Sequence, residues 1–425
     1  MQKKVIVIGG GFSGLSAAAY LANKKYKVTL LEASPKLGGR AYSFLDKETN
    51  TFLDNGQHIL MGCYHYTLEF LSLIGAKENF YFQKRLEVNF VKEKFQVFPL
   101  KSFPLVYPIN LLIGLLSYQA ISLKDRIRLL KVFFKLPFYN SNKFLKLTVS
   151  EWLEKEKQSQ QNHNTFWKII AVGALNTSIE KASAKIFIDN LKQIFLEGNK
   201  AAIIVLPKYG LSESYCKNAE EYIARNGGEI ILSQPVEKLV ISENRVTEIH
   251  TSQKVFLNFD FVISAIPSFA LNRIVDYENN FVVSDFKYSS ILNIHIWLKK
   301  NEIPDGFFGL INSPLHWVFN KGTHLNIVIS DADELVSKSD EDLIDMVKSE
   351  MQKFFLVDPG LISTYKIIKE KRATFIPSKD SLNKRPSQKT PIKNLILAGD
   401  WVDTGLPSTI ESAVKSGKVA ADFLS

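Results

Sequence analysis

An α/β fold with a parallel sheet at its centre and a mixed α+β domain threaded through it is what this 425-residue chain predicts. Three observations carry the prediction. Val5-Ile6-Val7-Ile8 is a continuous apolar run, the pattern of a strand buried on both faces of a parallel sheet, and it feeds straight into a glycine turn and a helix. Lys27-Val28-Thr29-Leu30-Leu31 is a second strand, ending in Glu32, at the distance of one strand–helix–strand unit. Further buried-strand patterns return at Phe261–Pro267 and Leu395–Ala398, so the domains interleave rather than follow one another.

The turn after the first strand reads Gly9-Gly10-Gly11-Phe12-Ser13-Gly14. Gly9 lets the chain leave the strand tightly, Gly11 lets backbone N–H groups approach a pyrophosphate, and Gly14 lets the helix lie close to the strand. Ser13 sits at the helix start, whose N-terminus faces the anion. Glu32 accepts the two ribose hydroxyls of an adenosine, and its charge repels a 2′-phosphate, which argues against NADP. Strand, G-x-G-x-x-G turn, helix, strand and acid together form the Rossmann-like dinucleotide-binding fingerprint in its required context. One departure is Lys25, where such units commonly place glycine; Asn23 is expected to cap the helix instead.

Gly38-Gly39-Arg40 follows the acid, and Asp54-Asn55-Gly56-Gln57-His58 comes after it. Read alone, the second run is a turn. The pairing resembles the FAD-dependent amine oxidase and phytoene desaturase superfamily. That resemblance implies FAD, with the Gly38-Gly39 turn passing the flavin, Arg40 near its phosphates and the passage through Gly56 beside the isoalloxazine, and it makes Gln57 and His58 candidates for the substrate side of the flavin.

Composition bounds the class. Hydrophobic residues make up 46% and charged residues 23%, ordinary for a folded protein and unlike a disordered or fibrous one. A net charge of +10 favours an acidic partner, meaning an anionic membrane surface, nucleic acid or phosphorylated ligands, but no nucleic-acid module accompanies it. Cys63 and Cys216 form no C-x-x-C, so neither a disulfide scaffold nor a zinc site is expected, no metal is assigned, and a reducing compartment fits. The first strand begins too close to Met1 for a signal peptide, which predicts a cytoplasmic protein. The most apolar stretch, Ser102 to Leu123, is broken by Pro104 and Pro108 and does not read as a membrane span. No residue pattern fixes an oligomeric state.

In chain order, Leu68, Leu71 and Ile74 at helical spacing predict a helix from Tyr64 to Gly75. Alternation between Phe80 and Phe98 predicts a hairpin turning at Lys92-Glu93-Lys94. Ser122 is expected to cap a helix carrying Arg126, Arg128, Lys131 and Lys135 among apolar residues. Its plain reading is a solvated face over the core; its functional reading is peripheral contact with anionic lipid on the inner face of the cytoplasmic membrane. Gln158-Ser159-Gln160-Gln161-Asn162 reads as an exposed loop, and Asn176 as a polar amide that needs partners. A helix from Glu213 to Asn226 and strands through Gly227–Leu232 and Pro235–Leu239 follow. By the resemblance, Val236 contacts the adenine. The closing run Ala398-Gly399-Asp400-Trp401 and the helix from Thr409-Ile410 look like the superfamily's last motif, which implies that Gly399, Asp400, Thr409 and Ile410 hold ribityl or phosphate oxygens.

The motifs divide the chain into a discontinuous FAD-binding domain (1–75, 205–270 and 376–425) and a substrate, membrane-associated domain (76–204 and 271–375), the two-domain amine oxidase/phytoene desaturase-like fold. A narrower resemblance runs nearly end to end. Gly62 and Tyr64, Ala174-Leu175-Asn176-Thr177, Leu206-Pro207 with Gly210-Leu211-Ser212, Lys371-Arg372-Ala373-Thr374-Phe375, and Asp403-Thr404-Gly405-Leu406-Pro407 look like the squalene-associated FAD-dependent desaturases, the hydroxysqualene dehydroxylases of hopanoid pathways. Membership implies removal of the hydroxyl of hydroxysqualene, an isoprenoid lipid, with reduced FAD as donor. The departing hydroxyl is allylic, so protonation and loss of water leave a delocalised cation for hydride to quench. His58 is the expected acid, with Asp403 or a bound water as the alternative. Two rivals stand beside this reading: a carotenoid desaturase or amine oxidase running the flavin in the oxidising direction, and a non-enzymatic isoprenoid carrier like the Rab escort proteins. The intact Gly9, Gly11, Gly14, Glu32 and Arg40 argue against the carrier.

Overall fold

The computed structural model describes residues 2–275 and 283–424; Met1, Ser425 and residues 276–282 of the expected segments lie outside the described residues. A five-stranded parallel sheet runs in the spatial order Glu229–Ile231, Lys27–Leu31, Lys4–Ile8, Phe261–Ser264, Leu395–Leu397. Val5 and Val7 are wholly buried at its centre, which accounts for the unbroken apolar pattern. Helix Phe12–Asn23 buries every residue from Phe12 to Ala22. It can do so because small residues let helix Ile410–Asp422 approach: a Cβ on Gly417 would stand 2.2 Å from the Ser13 carbonyl oxygen. Ser13 Oγ and Ser416 Oγ share a hydrogen bond (3.0 Å) across this contact, and Ser16 Oγ donates to the Val414 carbonyl (3.0 Å).

The helix ends at Asn23, whose side chain does not cap it but accepts from Tyr222 Oη (3.0 Å). The reversal is made by Lys25 itself, at φ +64°, a left-handed conformation that costs a non-glycine residue about 1 kcal/mol. Three bonds hold the turn: Lys24 N–H to Tyr20 O, Lys25 N–H to Ala22 O and Tyr26 N–H to Leu21 O.

A seven-stranded, mostly antiparallel sheet runs Ile362–Phe375, Tyr288–Leu298, Leu325–Ser330, Trp317–Asn320, Gly306–Leu310, Glu87–Lys92, Gln96–Lys101. Its period-2 alternation gives it two unlike faces. Leu292, Ile294, Ile296, Leu325, Ile327 and Ile329 turn to helix Asp340–Phe355 and share one apolar core with Leu343, Val347, Met351 and Phe354. The alternate residues Ile291, Asn293 and Val328 turn the other way, to a cavity shared with the first sheet's glycine turn.

Helices of residues 109–196 form a third layer around Trp152, Trp167, Phe133, Phe166 and Phe187. Phe133 stacks on Trp167 at 5.9 Å, and Trp152 meets Trp167 edge-on at 5.8 Å. Burial of each ring contributes about 2–3 kcal/mol. The polar run before this cluster is only partly the exposed loop it reads as. Asn162 is fully buried, donating to the Asp125 carbonyl (3.0 Å) and to Gln158 Oε1 (3.0 Å), and the same Gln158 oxygen accepts from the Trp167 indole (3.0 Å). The amides are there to satisfy a buried indole and a helix start. Ser122 Oγ caps helix Leu123–Lys135 by accepting from Asp125 N–H (3.2 Å). Asn176 ends helix Lys168–Leu175 in a left-handed turn, donates to Thr374 Oγ1 (2.9 Å) and accepts from Asp331 N–H (2.7 Å), tying the helical layer to the sheet.

Candidate functional site

Where the parallel strands end, a cavity of about 430 Å³ opens between the two sheets. One wall is made by turns. Gly9, Gly11, Ser13, Glu32, Gly39, Arg40, Gly56, Gln57, His58, Gly399, Asp400, Thr409 and Ile410 all line it. Gly14 does not reach the cavity but makes the turn possible: a Cβ there would stand 1.8 Å from the Gly9 carbonyl oxygen. The two glycine turns close on each other through a parallel bridge between Gly11 and Gly38, and a Cβ on Gly39 would stand 3.1 Å from Gly11 Cα.

The Glu32 carboxylate is fixed by Gly10 N–H (2.5 Å) and Ser34 N–H (2.8 Å). Arg40 Nη2 donates to Asp400 Oδ1 (2.6 Å) and Nη1 to the Ala373 carbonyl (2.5 Å), while Ser408 Oγ donates to Asp400 Oδ2. Burial by itself would raise the Asp400 carboxyl, but the Arg40 charge and the Ser408 and Arg40 hydrogen bonds outweigh it and hold Asp400 below the usual carboxylate range. The loop carrying Asp400 is clamped by buried Arg385, which donates to the carbonyls of Leu406 (2.7 Å), Asp400 (3.1 Å) and Val402.

His58 lines the cavity with Nε2 enclosed and without a hydrogen-bond partner. Burial lowers its pKa to about 4, with Asp54 opposing and Arg40 reinforcing. The expectation of a protonated imidazole near neutrality is therefore corrected: burial outweighs the opposing Asp54 charge and favours the neutral form of His58 at pH 7. Asp403 is corrected too. It is exposed, outside the cavity lining, and its Oδ1 accepts from Gly405 N–H (3.2 Å). Val236 also lies off the cavity, in an antiparallel strand pairing with Thr251; the contact to the Glu32 segment is made just before it, by Gln234 N–H to the Glu32 carbonyl (2.8 Å).

The structure adds residues that sequence reasoning missed. Lys321, in a turn of the second sheet, donates to Gln57 Oε1 (2.7 Å) and stands 3.7 Å from Asp54 Oδ2. Asn55 Nδ2 donates to the Arg40 carbonyl (3.1 Å) and to Glu370 Oε2 (3.3 Å). Asn293 lines the far wall beside Ile291 and Val328, 3.2 Å from where a Cβ on Gly56 would be. No pattern marks Lys321 or Asn293, since Asn320-Lys321-Gly322 reads as an ordinary surface turn, whereas Asn55 lies inside the Asp54–His58 run.

The residues present fit a dinucleotide. Two helix N-termini, at Gly11 and Thr409, open on the cavity, unhindered backbone faces it at Gly11, and a fixed carboxylate waits at Glu32. Among the described residues no group of His, Cys, Asp and Glu side chains is arranged to hold a metal ion, and no helix is long and apolar enough to cross a membrane.

Comparison with known proteins agrees with this geometry. The chain is 28% identical to the hydroxysqualene dehydroxylase of Zymomonas mobilis subsp. mobilis, over 98% of each chain. It is 22% identical to the 15-cis-phytoene desaturase of Synechococcus elongatus, over 99% of this chain and 95% of the relative. An oxidoreductase from Methanosarcina mazei superposes with a TM-score of 0.73 over 99% of this chain and all of that one, at 15% identity, which shows the fold. The model of the flavin containing amine oxidoreductases matches residues 12–424, and the chain belongs to that family.

Proposed function

We propose that this flavoprotein removes the hydroxyl of hydroxysqualene reductively to give squalene. The observation that carries the reading is likeness over 98% of both chains to a hydroxysqualene dehydroxylase, which takes in the substrate-side wall as well as the glycine turns. Bound FAD supplies hydride from its reduced form. Gly9, Gly11, Ser13, Gly39, Thr409 and Ile410 hold the pyrophosphate against the helix N-termini, Glu32 the adenosine ribose, and the Arg40–Asp400 pair the ribityl side. Gln57, oriented by Lys321, and neutral His58, with its free Nε2, position the substrate hydroxyl. Ile291 and Val328 give the chain of the lipid an apolar wall. The division of the chain at 75/76, 204/205, 270/271 and 375/376 belongs to this reading, with one part serving the cofactor and the other the lipid.

The test is anaerobic incubation of chemically reduced protein with hydroxysqualene, followed by mass spectrometry. Squalene is the expected product. Desaturation of phytoene by the oxidised protein, with hydroxysqualene untouched, would replace this reading by the carotenoid one.

We also propose that the lipid arrives from a membrane surface. Val106 (71% exposed), Phe134 (60%) and Phe138 (86%) present large apolar side chains around helices Ile109–Leu116 and Leu123–Lys135. The cationic side is less available than the sequence suggests: Arg128 pairs with Asp125 (2.8 Å), Lys135 with Glu156 (2.7 Å), and Arg126 donates to the carbonyls of Ile121 (3.1 Å) and Leu116 (3.0 Å). Apolar insertion thus outweighs headgroup charge. Co-sedimentation with neutral phosphatidylcholine vesicles, lost in a Phe134→Ser, Phe138→Ser double variant, is the expected result.

A further inference from the structure

The wall facing the glycine turns carries polar side chains that the site leaves unused. Asn293 and His295 lie on strand Tyr288–Leu298; Asn326 lies opposite His295 on strand Leu325–Ser330, and His324 immediately precedes that strand. Asn293 and His295 are 1% exposed, His324 4% and Asn326 0%. Among the described residues neither side-chain polar atom of Asn293 or Asn326, nor Nε2 of His324, has a hydrogen-bond partner, and His295 approaches the Asp54 backbone but is otherwise unpaired. A buried polar group left unpaired destabilises the fold. Native proteins pair nearly all such groups, and water molecules are the partners that suit a polar cluster of this kind.

The cluster is contiguous and has two ends. The His295 and His324 rings lie 5.1 Å apart. At the outer end, His324 Nδ1 is hydrogen-bonded to Oγ1 of exposed Thr323 (3.0 Å). At the inner end Asn293 lines the cavity. The charged groups around it come from three directions: Lys321 from the adjoining turn, Asp54 from the first domain's strand Thr51–Asp54, and Lys366, opposite His295 on the neighbouring strand and paired with Asp46 (3.2 Å). Burial lowers both imidazoles, reinforced by the neighbouring His324 and Lys321 for His295 and by Lys321 for His324, and favours neutral rings, each able to accept on one nitrogen and donate from the other. The opposite face of the same strands is wholly apolar, so polarity here is confined to the side that meets the cavity.

We propose that Asn293, His295, His324 and Asn326 line a water-filled proton path from the surface at Thr323 to the cavity, which delivers the proton the leaving hydroxyl requires. The inference rests on the dehydroxylation reading for what the proton does. In that reaction the C–O bond breaks and its oxygen departs as water with the delivered proton. A C–H bond forms with hydride whose electron pair comes from the anionic reduced flavin, so carbon is reduced, flavin is oxidised and one proton is consumed per turnover. Neutral His58 and exposed Asp403 are not placed to supply that proton, and the carboxylates that do line the cavity, Glu32, Glu370 and Asp400, are engaged there as hydrogen-bond acceptors.

The test has two arms. A high-resolution crystal structure of the FAD-loaded protein is expected to show ordered waters bridging Asn293, Asn326 and His295; side chains bonded directly to one another with no water between would overturn the path. In single-turnover oxidation of the reduced protein by hydroxysqualene, Asn326→Leu and His295→Phe, which close the track at two points, are each expected to slow the reaction at least tenfold with melting temperature kept or raised. His295→Gln, which can still hold water, is expected to recover most of the rate, and the solvent deuterium isotope effect to be larger in the slowed variants. A folded Leu or Phe variant with wild-type rate and isotope effect would overturn delivery. Wild-type protein that leaves hydroxysqualene intact would sink the reaction assigned here, and with it delivery to that hydroxyl, while bridging waters in the crystal would still uphold the path.

Discussion

The two walls of the cavity are built on opposite principles. The glycine wall works through backbone: Gly9, Gly11, Gly14 and Gly39 remove side chains so that peptide groups of neighbouring turns meet each other and whatever binds there. The sheet wall works through side chains, and the groups that count, Asn293, His295, Lys321 and Asn326, come from two strands and a turn that only pairing brings together. At Gly14 the first wall has no room for an added atom, while the second is sensitive to charge and water. Substitution and pH should therefore act on them differently.

The largest effect is expected within the glycine wall, between two of its own residues. Gly14→Ala puts a methyl 1.8 Å from the Gly9 carbonyl oxygen, so strand and helix must separate. Loss of soluble folded protein, or a melting temperature lowered by ten degrees or more with no bound flavin, is the expected result, read from purification yield, thermal unfolding and visible absorbance. Gly11→Ala meets nothing nearer than Gly39 Cα at 3.8 Å, and its φ of −80° suits alanine. Its melting temperature without flavin should stay within a degree or two of wild type, while FAD affinity falls about tenfold or more, because the methyl occupies space meant for ligand. Equal effects from both substitutions would show that Gly11 also serves packing.

The same contrast explains what was legible in the sequence. The strand, turn, helix and acid of residues 5–32 are local, so spacing alone places their backbone, and Gly39, Gly56, Gly399 and Thr409 reach the cavity because each sits at an element's end. What depends on environment was not legible. His58 was placed on the cavity, but no spacing reports that burial drives its pKa to about 4. Lys321 contacts Gln57 across 264 residues, which no single-chain pattern encodes. Asn162 looked like loop because polar residues usually are, and it is buried because an indole and a helix start needed its neighbourhood.

Acid should act first on the sheet wall and its surroundings. Burial lowers His58, His316 and His324 to about 4 and His295 to about 3. Above 6.5 these groups are neutral whether the chain is folded or not. As pH falls from 6.5 towards 4 the unfolded chain takes up protons that the folded chain refuses, so stability declines, at up to about 1.4 kcal/mol per pH unit for each group, and levels once the folded groups also titrate. On the glycine wall His58 shares this response, while Asp400 is held below its usual range and stays charged. Urea midpoints measured from pH 7 to pH 4 should fall steadily in wild type and less steeply in His295→Phe. An unchanged slope in that variant would mean the sheet wall is not where the acid sensitivity resides.

The smallest effect is expected at Asp403, and its smallness is informative. It follows Asp400 by three residues and shares its acidity, yet the chain turns between them: Asp400 points inward to Arg40 and Ser408, while exposed Asp403 faces Gly405 N–H (3.2 Å). Asn at 403 keeps an oxygen to accept that bond, as Asx turns allow, and removes only an exposed charge. The nearby Arg385 loses some Coulombic support but keeps its hydrogen bonds to Leu406, Asp400, Val402 and Thr404. Asp403→Asn should therefore shift stability by no more than about 0.5 kcal/mol and leave turnover within twofold of wild type. A drop of tenfold or more in the single-turnover rate at unchanged flavin content would place an acid on the glycine wall after all, and would remove the reason for bringing the proton in through the sheet.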